Sequence, residues 1–565
     1  MSLPIFLKAS HVNVGLFCFI CILIMINPKY IQAYKSREFS SFFEENPKAY
    51  SSELKDAGLS AYQSIVSSHV TNINDGVNDL ISSEKSPFDN VLINTRYKSI
   101  DIETAIINAT KSKSSWYKAN IDERFEILFN SLKKIESRFF ELAYATMHTT
   151  GQSFLMSFQA SGPHACDRAL EAMIVSYLEL TEFPENVDWS KDLGKFSLDI
   201  KKDFVPISKG IGLVVGCSTF PTWNSVTGIF ANLMCGNPVI VKPHPSAILP
   251  MAIFVQEIRG SIKDAGLDQN MIQLIPDTLD NPITKELVEH GDIKLIDYTG
   301  GNQFGDYIES VPNKVTFTEK AGVNSCLVES FADMKAVTSN IAFSVSLYSG
   351  QMCTAPQNIF VPASGIKENS KIISFDDFVE GIKTAITGLT SHPKAGHSTL
   401  GAVQNENTLT NVKDISNNDV NVVLKSTDIN NPEFLDSRTV SPVVRVFDSS
   451  EFSLYTNECF GPVINIIKTN SKEESLSIAK KQAIEKGALT CLCYTLDEGF
   501  LAKVKKSMNE VFVPVSFNFT GAGFVNQHAA FSDLHVTGGN PAGNATFTNR
   551  EYVSKRFVWV GNRYM

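Results

Sequence analysis

Cys353 lies in Tyr348-Ser349-Gly350-Gln351-Met352-Cys353-Thr354-Ala355-Pro356, between the apolar run Ile341 to Tyr348 and Ile359-Phe360-Val361. A small glycine-containing turn exposes a thiol at the edge of a packed element and aims backbone N–H groups at whatever that thiol attacks. Most cysteines are inert packing residues, so the turn alone does not separate Cys353 from the other nine. Glu319, in Phe317-Thr318-Glu319-Lys320-Ala321-Gly322, offers a general base. Taken singly it also reads as a surface carboxylate paired with Lys320. Asn224, in Pro221-Thr222-Trp223-Asn224, offers a neutral donor for an oxyanion, or a helix N-cap. Lys242, in Lys242-Pro243-His244-Pro245-Ser246, can reach a ribose or a phosphate, or stand solvated. Tyr298-Thr299-Gly300-Gly301-Asn302 is a glycine-rich turn whose backbone can approach a pyrophosphate at a helix N-terminus, or a plain turn. Glu458-Cys459-Phe460-Gly461-Pro462 is a turn carrying one carboxylate.

These residues need rigid elements to hold them. Gly212 to Gly216, Pro238 to Lys242, Met271 to Ile275 and Leu295 to Thr299 are short apolar runs that suit buried parallel strands. Helices are expected between them, at Ser225 to Met234, Ala247 to Ala265 and Ile283 to His290. Such alternation predicts a doubly wound α/β sheet with right-handed crossovers. Asn224, Lys242 and the Thr299-Gly300-Gly301 turn each follow a strand, where ligands of such sheets collect.

A second α/β segment begins at Glu319. It has a helix over Ala342 to Tyr348, strands at Asn358 to Pro362, Val463 to Ile467 and Leu489 to Thr495, and helices at Phe375 to Thr390 and Lys472 to Glu485. Upstream, Asp101 to Leu132 reads as two helices broken near Lys111 to Ser115, and Arg138 to Met147 and Asp167 to Leu180 as two more. Asp188 to Lys201 reads as an extended arm or hairpin. Asn405 to Asp436 is Asn- and Asp-rich and reads as surface loops, and 514–549 is dominated by loops.

At 565 residues, about 150 per domain predicts three or four domains. The net charge of −10, with no basic stripe, argues against a nucleic-acid partner. The cysteines show no metal pattern. Cys491 and Cys493 lie within an expected strand and Cys18 and Cys21 within an apolar run, and scattered thiols suit a reducing compartment. Val14 to Ile26 is an apolar run of 13 residues, short of the roughly 20 needed to span a bilayer. It reads as a signal-like extension or weak anchor (12–26), or as residues upstream of a natural start at Met25. A cytoplasmic location is expected, with membrane contact only if this run is retained.

The order Asn224, Lys242, Thr299 to Gly301, Glu319, Cys353, Glu458 resembles the landmark motifs of the aldehyde dehydrogenase superfamily. Pro-Trp-Asn is similar to Pro221-Thr222-Trp223-Asn224, Glu-Leu-Gly-Gly to Glu319 to Gly322, Gly-Gln-x-Cys to Gly350 to Cys353, and Glu-x-Phe-Gly-Pro to Glu458 to Pro462. A closer resemblance is to the phenylacetic acid degradation protein PaaN subgroup. It rests on Thr219 to Asn224, Lys242 to Pro245, Thr318 to Asn324, Tyr348 to Pro356, Thr149-Thr150-Gly151-Gln152, Gly162 to Ala165 and Val525 to Asp533.

The resemblance implies two doubly wound α/β domains, cofactor-binding and catalytic, with a small oligomerisation arm. The expected order is an apolar extension (1–29), an N-terminal helical wrap (30–98), an NAD(P)-binding domain (99–318, with the arm at about 188–206), a catalytic domain (319–515), and a C-terminal segment with an oligomerisation strand (516–565). It implies a homodimer or homotetramer. It implies oxidation of a small-molecule aldehyde, with Cys353 as nucleophile, Glu319 as base for hydrolysis of the thioester, and Asn224 with the Cys353 N–H as the oxyanion site. It implies NAD or NADP held by Trp223, Lys242, Pro245, Thr299, Gly300, Gly301, Glu458 and Phe460, with Trp223 on the adenosine side. Three residues depart from the family pattern. Gly301 replaces a serine, Pro245 stands where NAD-preferring members often carry a Glu that repels a 2′-phosphate, and Lys320-Ala321 replaces Leu-Gly. Two other readings are a relative that passes the acyl group to coenzyme A, and an inactive scaffold.

Overall fold

The computed structural model describes residues 26–524, 530–532, 534–547 and 549–565. The Val14 to Ile26 run, except Ile26, and both candidate starts lie outside the described residues, as does most of the Val525 to Asp533 motif. Among the described residues, no helix is long and apolar enough to cross a membrane.

Five parallel strands form the first sheet, in the order Val315–Lys320, Ile293–Gly300, Ile211–Val215, Val239–Lys242, Ile272–Leu274. The three strands from Ile211–Val215 outward are buried along their whole length. This is why they read as unbroken apolar runs rather than alternating ones. The chain builds outward from Ile211–Val215 through Val239–Lys242 to Ile272–Leu274, then crosses back to Ile293–Gly300 on the other side. The strand order therefore reverses between Ile211–Val215 and Ile293–Gly300, and the crevice at their carboxyl ends is the ligand position of such sheets.

The second sheet has seven strands, and six of them, in the order Val443–Asp448, Val463–Thr469, Pro356–Pro362, Asn324–Val328, Cys491–Tyr494 and Val515–Phe517, run parallel. The edge strand Val422–Leu424 is antiparallel. Helices cover both sheets, so the α/β expectation holds. The hairpin Asn186–Asp192/Ser197–Ser208 pairs with the C-terminal strand Phe557–Tyr564 in a separate antiparallel sheet. Beside it, Arg556 makes two hydrogen bonds to buried Asp297, at 2.6 and 2.8 Å, and ties the C-terminal segment to the first sheet.

Several elements differ from expectation. The 30–98 wrap is not only helical. It holds helices Pro28–Ser36 and Ser52–Ile65, but also a small sheet of His69–Val70, Asn78–Ile81 and Arg96–Ser99. The helices after residue 101 are Ile102–Trp116 and Ile121–Glu136. The break falls at 117–120, where Asn120 and Glu123 form a reciprocal capping box. Asn405 to Asp436 contains the helix Glu406–Asn418, capped by Asn405, with Val412 buried. The helix before the cysteine turn is Met334–Ser346, longer and earlier than Ala342 to Tyr348. The 318/319 border falls inside a strand, because Glu319 and Lys320 complete the first sheet.

Candidate active site

Three elements deliver Cys353. The helix Met334–Ser346 ends, and the chain turns through Tyr348, Ser349 and Gly350 at φ of 52°, 53° and 64°. Left-handed backbone at two non-glycine residues costs on the order of 1–3 kcal/mol each and persists only where surroundings fix it. Here they do. The Tyr348 hydroxyl donates to Thr150 O at 2.5 Å, and the Ser349 hydroxyl to Leu400 O at 3.0 Å. Gln351 Nε2 donates to Ala402 O at 3.1 Å. A Cβ at Gly350 would stand 2.6 Å from Gly461 O, so the turn lies directly on the Glu458 to Pro462 turn. Beyond Cys353, Asn324 Nδ2 donates to Cys353 O and Ala355 O at 2.8 and 3.0 Å.

Asn224 is not a cap. It sits in the first turn of the helix Pro221–Met234, whose N-cap position is Phe220. Its Nδ2 donates to Glu319 Oε2 at 2.7 Å. Thr149-Thr150-Gly151-Gln152 braces both halves of the site. Thr150 O accepts from Tyr348, and Gln152 Nε2 donates to Thr219 O at 2.7 Å, in the loop before Asn224.

Glu319 is 1% exposed, near the carboxyl end of Val315–Lys320. The default pairing with Lys320 does not occur, because Lys320 Nζ points the other way, to Asp306 and Glu309 at 2.7 and 3.1 Å. His535 was not singled out from the sequence. Its Nε2 stands 3.2 Å from Glu319 Oε1 and 3.9 Å from Cys353 Sγ. The Glu319, Cys353 and His535 donor atoms all lie within 4.8 Å of one another. The segment carrying His535 is fixed to the Glu319 strand, since Asn544 Oδ1 accepts from Thr318 N at 2.8 Å and Lys320 N donates to Ala542 O at 2.6 Å.

Charge at the site follows from these contacts. Burial pushes the Glu319 carboxyl up. His535, Cys353 and Asn224 outweigh that and hold it below the ordinary carboxylate range. Burial, and then the Glu319 charge, push the Cys353 thiol well up. The resting pair is thus a thiol beside a carboxylate. Cys217, whose Sγ–H donates to Asn224 Oδ1 at 3.8 Å, is pushed up to about 11 by burial.

Glu458 and Phe460 line the same cleft as Cys353, together with Asn324, Gln357 and Gly461. Glu458 reaches solvent there, yet the protein around it removes enough hydration to raise its carboxyl to about 7. Trp223 packs edge-on against His535, with ring centroids 4.8 Å apart, and the Arg168 guanidinium covers it at 4.9 Å. It stands beside the Glu319, Cys353 and His535 cluster. Lys242 is 1% exposed and closed in by Asp277 at 2.6 Å and Pro243 O at 2.5 Å. Burial lowers its ammonium in spite of Asp277. Pro245 is half-buried in the loop that follows.

Thr299, Gly300 and Gly301 form the other wall of the crevice. Gly301 precedes the helix Asn302–Ser310, which has no side-chain cap, and a Cβ at Gly301 would meet nothing within 4 Å. The buried Asn302 Oδ1 has no hydrogen-bond partner. Open amides at a helix N-terminus beside a switch point fit a dinucleotide pyrophosphate. The residues present therefore fit such a cofactor at Gly300 to Asn302, while Lys242 is already paired.

The profile of the aldehyde dehydrogenase family matches residues 84–521. The chain belongs to the aldehyde dehydrogenase family. It is an oxidoreductase acting on aldehydes. Among solved structures, an NAD-dependent aldehyde dehydrogenase from Burkholderia multivorans is 38% identical, covering 95% of this chain and 97% of that one, with a TM-score of 0.93. An alpha-ketoglutaric semialdehyde dehydrogenase of Bacillus subtilis (strain 168) is 24% identical, over 67% of this chain and 74% of that protein. A vanillin dehydrogenase of Corynebacterium glutamicum is 24% identical, over 72% of this chain and 80% of that protein.

Proposed function

We propose that the chain oxidises an aldehyde to the free carboxylic acid, with NAD or NADP, through a covalent adduct on Cys353. The observation that carries this reading is the convergence of Asn224, Glu319 and Cys353 from three separate elements. Cys353 Sγ attacks the aldehyde carbon. The second Asn224 N–H and the Cys353 backbone N–H hold the oxyanion of the thiohemiacetal. The bound nicotinamide supplies the hydride acceptor. Glu319, held ionised, then activates the water that hydrolyses the thioester. Glu458 and Phe460, which line the Cys353 cleft, would hold the nicotinamide ribose, and Gly300 to Asn302 would hold the pyrophosphate. With Pro245 in place of an acidic residue, a 2′-phosphate meets no repulsion at that position.

The substrate is read as a semialdehyde of aromatic catabolism, as in the PaaN subgroup. Among the motifs shared with that subgroup, Thr149 to Gln152 braces both the Cys353 turn and the Asn224 loop. The assembly is read as a homodimer or homotetramer in the cytoplasm. The sheet formed by the arm and the C-terminal strand exposes Ile207, Val558 and Val560, in support of that reading.

NAD(P)H formation across a panel of aromatic and aliphatic aldehydes, with each cofactor, tests the proposal. The product is expected as free acid with or without coenzyme A. Acyl-CoA as sole product, or no turnover of any aldehyde, overturns it.

A further inference from the structure

His535 has no role in the mechanism above, yet its Nε2 faces both reacting side chains. It lies 3.2 Å from Glu319 Oε1 and 3.9 Å from Cys353 Sγ. Its side chain is 10% exposed. The ring is held in place by Trp223, edge-on at 4.8 Å and 89°, and its backbone O accepts from Phe547 N at 3.2 Å. A carboxylate only accepts hydrogen bonds, so the nitrogen facing Glu319 carries the hydrogen.

The two groups it faces cannot both be anionic so close together, and the pair holds one negative charge. When the charge is on Glu319, Asn224 and His535 both donate to it. When the charge is on sulfur, Glu319 keeps Asn224 as partner. Among the described residues, the thiolate then has its own backbone N–H, the newly formed Glu319 O–H and His535 as donors.

We propose that His535 is a further catalytic residue, donating its Nε2–H to Glu319 at rest and to the Cys353 thiolate once the thiol proton has moved to Glu319. In that step the S–H bond breaks, an O–H bond forms on Glu319, and the electron pair stays on sulfur; Glu319 gives the proton up to solvent before it serves as base for the hydrolysis. The Nε2–H bond does not break; only its acceptor changes. Among the described residues, the charged and titratable groups around this switch are Glu319 on its strand, Cys217 beyond Asn224, Arg168 behind Trp223, and Glu458 across the cleft. The inference rests on the assignment of Cys353 as nucleophile.

The test is the pH profile of iodoacetamide alkylation at Cys353, with the modified peptide quantified by mass spectrometry. It needs neither aldehyde nor cofactor. Wild type is compared with His535→Gln, which keeps a neutral donor, and His535→Leu, which has none. The inflection is expected to rise in the order wild type, Gln, Leu. The Leu variant should alkylate on the order of tenfold more slowly at neutral pH, because one unit of pKa is tenfold in thiolate. The rate of the NAD(P)H burst of the Leu variant should fall by a similar factor, on the order of tenfold. Wild-type alkylation profiles in both variants overturn the proposal. If His535→Leu fails to fold, the comparison of wild type with His535→Gln decides in the same way. A shifted profile in a protein that oxidises no aldehyde leaves the His535 inference standing and removes the reading of function.

Discussion

Asn224 donates to Glu319 Oε2 at 2.7 Å across 95 residues of sequence, so the expected oxyanion donor and the expected base are bonded to each other at rest. One N–H of the amide orients the base, and the other is left for substrate. Removing Asn224 therefore damages both halves of the reaction.

Asn224→Ala is expected to lower kcat by roughly 10²–10³-fold, the usual loss for one oxyanion donor. Glu319 also loses a donor to its charged form, so the acid limb of kcat/KM should move to higher pH. Steady-state pH profiles of the variant and wild type check both effects.

Gly350→Ala tests the turn. The new Cβ meets Gly461 O at 2.6 Å and the residue needs φ near 64°, so strain adds to collision. The variant should lose more than about 1 kcal/mol of stability in urea unfolding. Its kcat should fall well beyond its change in cofactor affinity, because the pyrophosphate turn is on the other domain.

Stability should depend on pH through Glu319. Its folded pKa is below the unfolded value. The contribution is therefore present above the unfolded carboxylate pKa of about 4.3 and is lost as pH falls through the folded value. The difference in urea midpoint between wild type and Glu319→Gln is expected to shrink steadily from pH 6 toward pH 3. A difference that grows on acidification contradicts the sign.

Four strands of the first sheet were legible because they are mostly buried and leave runs such as Val239-Ile240-Val241 between glycines and prolines, whereas Val315–Lys320, less buried at its start, was not read as a strand. The helix Glu406–Asn418 was missed because Asn and Asp dominate it, although Leu409, Val412 and Ile415 repeat at a spacing of three. The small sheet at 69–99 was missed because its strands are two to four residues long. In the site, Asn224, Glu319 and Cys353 could be named because each sits in a short motif at an element's end. His535 could not. It is 182 residues from Cys353, in a Gly- and Asn-rich loop without periodicity, and only the pairing of 542–544 with the Glu319 strand brings it in. The partner of Lys242 was equally hidden, since Asp277 follows a different strand.

Rapid mixing of enzyme, cofactor and aldehyde tests the central claim most directly. Wild type should give a burst of NAD(P)H, and Cys353→Ala none. Glu319→Gln should keep a burst, because without the neighbouring carboxylate charge the thiol loses its proton to solvent in place of Glu319, while its later turnover slows by roughly 10²-fold or more. An undiminished burst in Cys353→Ala contradicts the account.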